Sequence, residues 1–122
     1  MENNLRWQGR EKRRFPRAKF PCKVVIYLPW EHVLVTHTEN IGCGGIRVVV
    51  EEDLDVSSVV GVEVFFDNEK AIRCKGKVVW KLEVKNPLAE DVLFFDLGLE
   101  FMDIKEKDKE IIKKLIDSLL EK

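Results

Sequence analysis

A chain of 122 residues, 45% apolar and 35% charged, is long enough for one buried core and too apolar to be wholly disordered, so it reads as a single soluble domain. Its net charge of -1 is unevenly spread, because the first 23 residues hold eight Lys and Arg (Arg6, Arg10, Lys12, Arg13, Arg14, Arg17, Lys19, Lys23) against only Glu2 and Glu11. A basic end on an acidic body fits a local anionic partner and argues against a broad basic face for long nucleic acid.

The elements follow in chain order. Residues 1–17 are polar, basic and aperiodic, and are expected to form a flexible arm that orders only against something; residues 18–122 form the folded domain. Residues 22–28 (CKVVIYL) are β-branched and aromatic and predict a strand, turned by Pro29 and returned by residues 32–38. Residues 40–45 (NIGCGG) read as the connection to a third strand at 46–51. Small residues at 57–61 precede a strand at 62–66, and Asp67-Asn68 turns the chain into a long strand at 71–83 that bends near Gly76. After the Asn86-Pro87 loop, residues 92–101 (VLFFDLGLEF) are apolar on both faces and predict a well-buried strand. Five or six short strands with no helix among them point to an antiparallel barrel or sandwich.

The period then changes. Ile111, Ile112, Leu115, Ile116, Leu119 and Leu120 recur at three- and four-residue intervals, the pattern of an amphipathic helix. Asp103 followed by Glu106 resembles a capping box and places its start near Ile104. The apolar stripe is expected to cover the barrel or a sheet edge, with a dimer contact as the alternative.

Cys22, Cys43 and Cys74 are far apart and lack CxxC spacing, which argues against structural zinc and a disulfide framework and for a reduced, cytoplasmic setting. No apolar leader and no run of about 18 apolar residues occurs, so neither export nor direct membrane insertion is expected. There is no Ser/His/Asp arrangement, P-loop or GxGxxG, so the chain reads as a binding module and not an enzyme. His32 and His37 have no ligand cluster around them and read as surface or partly buried histidines. Trp30 and Trp80 read as core or barrel-rim aromatics in preference to stacking platforms. Trp7, in the arm, is open to stacking on a base, packing on the barrel or contacting a partner.

Two segments carry chemistry. The arginine cluster EKRRFPRAKF (residues 11–20) supplies planar forks that grip phosphate or the O6/N7 edge of guanine. The NIGCGG segment adds an amide that donates and accepts, beside glycines that let backbone approach a ligand. Alone, the first is a solvated tail and the second a hairpin needing positive φ; together they make an anion-and-guanine site.

With these residues in place, the chain resembles the PilZ domain family, bacterial receptors for cyclic di-GMP. The family's RxxxR motif is matched by Arg13-Arg14-Phe15-Pro16-Arg17, and (D/N)xSxxG is approached by Asn40-Ile41-Gly42-Cys43-Gly44-Gly45. A late Gly98-Leu99-Glu100-Phe101 before a helix completes the likeness, which runs from Glu11 into the C-terminal helix. The resemblance implies a six-stranded antiparallel β-barrel with a C-terminal helix, cyclic di-GMP as ligand, and no further cofactor or metal. It implies that Arg13 and Arg17 contact guanine edges and phosphates, Asn40 a guanine and Gly45 an open hairpin, with Lys12 and Arg14 assisting. Gly42 stands where the family usually has serine; one missing neutral hydrogen bond costs about 0.5–1.5 kcal/mol, so weaker binding is expected. The implied output is motility, biofilm or exopolysaccharide control through an unknown protein partner; ligand stoichiometry and oligomeric state stay open. The alternatives are a degenerate PilZ-fold adaptor that binds no nucleotide, favoured by Gly42, and a small RNA- or DNA-binding barrel, disfavoured by the acidic body.

Overall fold

The computed structural model describes residues 17–18, 21–66, 70–89 and 91–120. Period-two burial builds its strands. In β2 (Lys23–Tyr27), Val24 and Ile26 are fully buried while Lys23 and Tyr27 face water. The same alternation buries Ile46, Val48 and Val50 in β4 (Gly45–Val50) and Val60, Val62 and Val64 in β5 (Val59–Phe65). Longer strands β3 (Val33–Gly42), β6 (Ala71–Lys85) and β7 (Val92–Phe101) complete the set, with a two-residue β1 (Arg17–Ala18).

Each strand pairs antiparallel with its neighbours in the order β3-β2-β5-β6-β7-β4, and β4 returns to β3. The result is a closed six-stranded antiparallel barrel, which removes the sheet edges at its waist. β3 makes the closure by serving two neighbours. Its first half pairs with β2, from Val33 to His37, and its second half with β4, from Thr38 to Gly42. β1 takes the edge that β2 leaves, with Arg17 opposite Gly42 and Ala18 opposite Ile41.

Ile26, Ile41, Ile46, Ile72, Leu97 and Leu99 fill the barrel, and Ile112 and Ile116 of α1 (Glu106–Leu120) close one end. Each such side chain contributes about 1.5–3 kcal/mol of transfer free energy. The helix packs on β1 and β3, so its stripe covers the barrel as expected.

Four local expectations differ. The helix starts at Glu106: the Lys105 carbonyl accepts the N–H of Lys109, and Asp103 Oδ1 accepts the N–H of Lys75 at 2.9 Å instead of capping the helix. The irregularities in the β6–β7 pairing fall between Val78 and Trp80 and between Val84 and Lys85, not at Gly76. Only the second half of residues 92–101 is well buried; Val92, Leu93 and Phe94 are exposed because β4 pairs with β7 no further than Val50 opposite Phe95. Trp80 lies on the outer face, outside the core, whereas Trp30 is exposed in the β2–β3 turn at the barrel rim, one of the two places expected for it.

Candidate functional site

Asn40 lies inside β3, not in a connection. Thr38 and Ile41 are both buried although three positions apart, which strict alternation forbids. The register explains it: Thr38 faces Val48 while Asn40 faces Arg47, leaving Glu39 as the extra residue of a β-bulge. The bulge re-aims Asn40 onto the outer face, level with Arg47, while Ile41 still reaches the core. Asn40 Oδ1 is nevertheless buried, and among the described residues it has no hydrogen-bond partner. An unmet buried acceptor costs about 1–3 kcal/mol, so it marks a place where a donor is wanted.

Arg47 is positioned by a fork to Asp96: Nε donates to Oδ1 at 2.9 Å and Nη2 to Oδ2 at 2.7 Å. The Asp96 side chain is 9% exposed and that of Arg47 44%, so the carboxylate is buried beneath a guanidinium that still meets solvent. The hydrogen bond to Asp96 raises the Arg47 pKa above its ordinary value, and the cation persists at any physiological pH. Register continues the row, with Arg47 opposite Gly98 of β7 and Gly98 opposite Trp80 of β6. A Cβ built on Gly98 would fall 2.1 Å from Trp80 Nε1 and 2.5 Å from Cε2, so the indole lies on the bare glycine. One outer face thus carries, in sequence across four strands, a carboxamide, a guanidinium and an indole.

The glycines sit one step further along. Gly42 faces both Arg17 and Gly45, which brings the last arginine of RxxxR and the turn together. Gly45 is explained by proximity: its Cβ would meet the Leu99 carbonyl oxygen at 2.1 Å, so only glycine lets β4 lie against β7 there. Positive φ is not the reason, since among the described residues it occurs only at Glu31 and Ser57 and at no glycine. The turn itself is Cys43-Gly44, and Cys43 Sγ lies 3.8 Å from the Lys109 carbonyl of α1.

Of the seven residues expected at the site, Asn40, Gly42, Gly45 and the backbone of Arg17 converge; Lys12, Arg13 and Arg14 lie outside the described residues. Arg47, opposite Asn40, is a further candidate that the motifs do not point to; an arginine in the apolar run IRVVVE, two positions after the glycines, is its sequence signal. Trp80 was placed as a core or rim aromatic, yet an indole facing a strand glycine marks an aromatic laid flat on a sheet. His32 and His37 are exposed and pair with Glu52 and Glu39. No group of three or more His, Cys, Asp or Glu that could hold a metal occurs among the described residues. No helix among them is long and apolar enough to cross a membrane.

The PilZ domain family model matches residues 11–118. The chain belongs to the PilZ domain family. Its fold is similar to that of MotI, the inhibitor of motility of Bacillus subtilis, at 20% identity and a TM-score of 0.74, over 89% of this chain and 51% of MotI. It is also similar to the PilZ domain of YcgR from Escherichia coli, solved with c-di-GMP, at 15% identity and a TM-score of 0.68, over 90% of this chain and 92% of that one. A third likeness is to the MrkH–c-di-GMP complex of K. pneumoniae, at 13% identity and a TM-score of 0.71, over 89% of this chain and 52% of MrkH. At these identities the likeness concerns the fold, and the chain spans about half the length of MotI and MrkH. No curated protein matches the sequence.

Proposed function

We propose that this PilZ domain is a cyclic di-GMP receptor whose site lies at the β1–β3–β4 junction and extends over the outer face to Trp80. The observation that carries this reading is the buried, unpartnered Oδ1 of Asn40. A guanine presents ring and exocyclic N–H donors on one edge, the complement of a lone carboxamide oxygen. Arg13 and Arg17 supply forks for phosphates and O6/N7 edges, assisted by Lys12 and Arg14. Gly42 keeps the backbone low enough for the ligand to pass, next to the turn that Gly45 lets lie close against β7. Arg47, fixed by Asp96, adds a cation on the same face, and the indole of Trp80 offers a stacking plane. The c-di-GMP held by the PilZ domain of YcgR supports the choice of ligand.

The receptor acts in the cytoplasm and catalyses no reaction. Ligand binding draws the basic arm onto the barrel, and a changed surface reaches a downstream protein partner. Motility, biofilm and exopolysaccharide control are the outputs that this family reading supports. Calorimetric titration with cyclic di-GMP, with GTP and cyclic di-AMP as controls, tests it. Selective micromolar or tighter binding is expected, lost for the most part in Arg13→Ala and Arg17→Ala. No heat together with no thermal shift overturns it.

A further inference from the structure

We propose that the distal edge of β6 is a self-complementary docking strand, at which two copies of this chain pair antiparallel about Leu82. β5 accompanies β6 only as far as Val59 opposite Lys77, continued by Ser57 and Ser58 bonding Val78. From Trp80 to Lys85 the pairs of β6 are all with β7, and β7 in turn outruns β4 beyond Phe95. The barrel therefore extends into a two-stranded ribbon whose β6 side has no strand partner among the described residues. A two-stranded ribbon is marginal alone in water, and an unprotected edge is a template for another strand.

The sequence of this edge says which strand fits. Trp80, Leu82 and Val84 share one face and are 43%, 61% and 40% exposed, beside Phe94 of β7 at 39%. Lys81, Glu83 and Lys85 take the other face. An antiparallel pairing centred on Leu82 sets Lys81 opposite Glu83 of the second copy, and Glu83 opposite that copy's Lys81. On the apolar face the two Leu82 side chains meet, and each Val84 lies opposite the other copy's Trp80. The charges match twice through one two-fold axis, as an isologous contact requires.

Neighbouring registers fail. Centring on Lys81 or Glu83 puts like charges at the axis, and centring on Val84 runs out of strand at Lys85. The cation is also held in place: Lys81 pairs with Asp53, lies 5.7 Å from the Phe95 ring centroid, and keeps 19% of its side chain exposed. Glu83 is exposed and so is available to join that pair. The product is a continuous four-stranded sheet, β7–β6 with its copy. An edge contact of this kind buries less than a standard interface and predicts a reversible dimer.

Sedimentation velocity of the full chain without ligand, from micromolar to near-millimolar protein, tests the proposal. The wild type is expected to dimerise reversibly. Glu83→Lys and Leu82→Lys, both at exposed positions, are expected to weaken the dimer at least tenfold while keeping the wild-type circular dichroism and thermal midpoint. The triple variant D53N/K81E/E83K restores opposite charges across the axis and is expected to regain the dimer. A wild-type monomer at every concentration overturns the proposal and leaves the ribbon to a different protein. Dimerisation of Glu83→Lys equal to wild type overturns it as well. So does a monomeric triple variant when Asp53→Asn alone still dimerises.

Discussion

Replacing Asn40 with alanine is expected to make the protein more stable and a worse receptor. In the free protein Asn40 Oδ1 is buried with nothing to accept among the described residues, a deficit of about 1–3 kcal/mol. Alanine removes the oxygen, loses some amide packing, and leaves a net gain of about 1 kcal/mol. For a domain of this size that raises the thermal midpoint by about 4 °C. In the complex the same change leaves a guanine donor buried without an acceptor, which costs about 1–3 kcal/mol, or roughly 5- to 150-fold in Kd. Differential scanning fluorimetry without ligand and calorimetry with cyclic di-GMP read the two effects separately. A destabilised variant that binds normally would refute the reasoning, because Asn40 would then be a structural residue and not an acceptor awaiting a ligand.

Gly45→Ala must move its Cβ away from the Leu99 carbonyl 2.1 Å distant, which forces β4 from β7; an overpacking cost of about 1–3 kcal/mol is expected in urea denaturation, even without ligand. Arg47→Ala leaves the Asp96 carboxylate buried without its fork and is expected to destabilise by about 2–3 kcal/mol, whereas Arg47→Met with Asp96→Leu recovers most of that loss, read by the same titration. Cys74 is pushed up to about 11, first by burial and then by Asp103 and Asp108, and burial also raises Cys22 and Cys43. Alkylation by iodoacetamide is therefore slow at pH 8 and accelerates with each unit above it, as mass spectrometry would record. The folded state holds its Cys74 proton more tightly than the unfolded chain with its ordinary value of 9.0. That contribution to stability is intact below pH 9 and is lost as pH rises through about 11. Glu63 behaves oppositely: its pKa is lowered first by the Tyr27 hydroxyl and then by Arg73, so its contribution fades as pH falls below the ordinary 4.5.

The barrel and its helix were legible because both rest on periodicity. Strand burial repeats every two residues, the helix stripe every three or four, and the turns at Pro29 and Asn86-Pro87 fall between periodic runs. What failed was whatever depended on a distant partner. Asp103 looked like a cap because Glu106 follows at the right spacing, but the N–H of Lys75, 28 positions earlier, takes its oxygen. Residues 92–94 looked buried because they are apolar, yet whether a neighbour covers them depends on where β4 ends. Asn40 and Gly42 stand out through their motif, while Arg47, Asp96 and Trp80 come level with Asn40 only through cross-strand register. A site spread over four strands has no local signature beyond the turn that anchors it.

The seam at which β3 exchanges β2 for β4 has a kinetic consequence. The barrel closes along this short pairing from Thr38 to Gly42, and Asn40 stands in the middle of it. On the proposed reading, a ligand held there is released by any fluctuation that parts the seam, so each such fluctuation becomes rarer by the factor 1 + [L]/Kd. Amide exchange through seam opening, at Ile41 and Ile46 for example, should slow by that factor. Fraying of the far ribbon around Leu82 leaves the ligand seated and should keep its rate. A time-resolved deuterium map would then draw the line of closure, with the proposed site acting as the clasp of the cylinder.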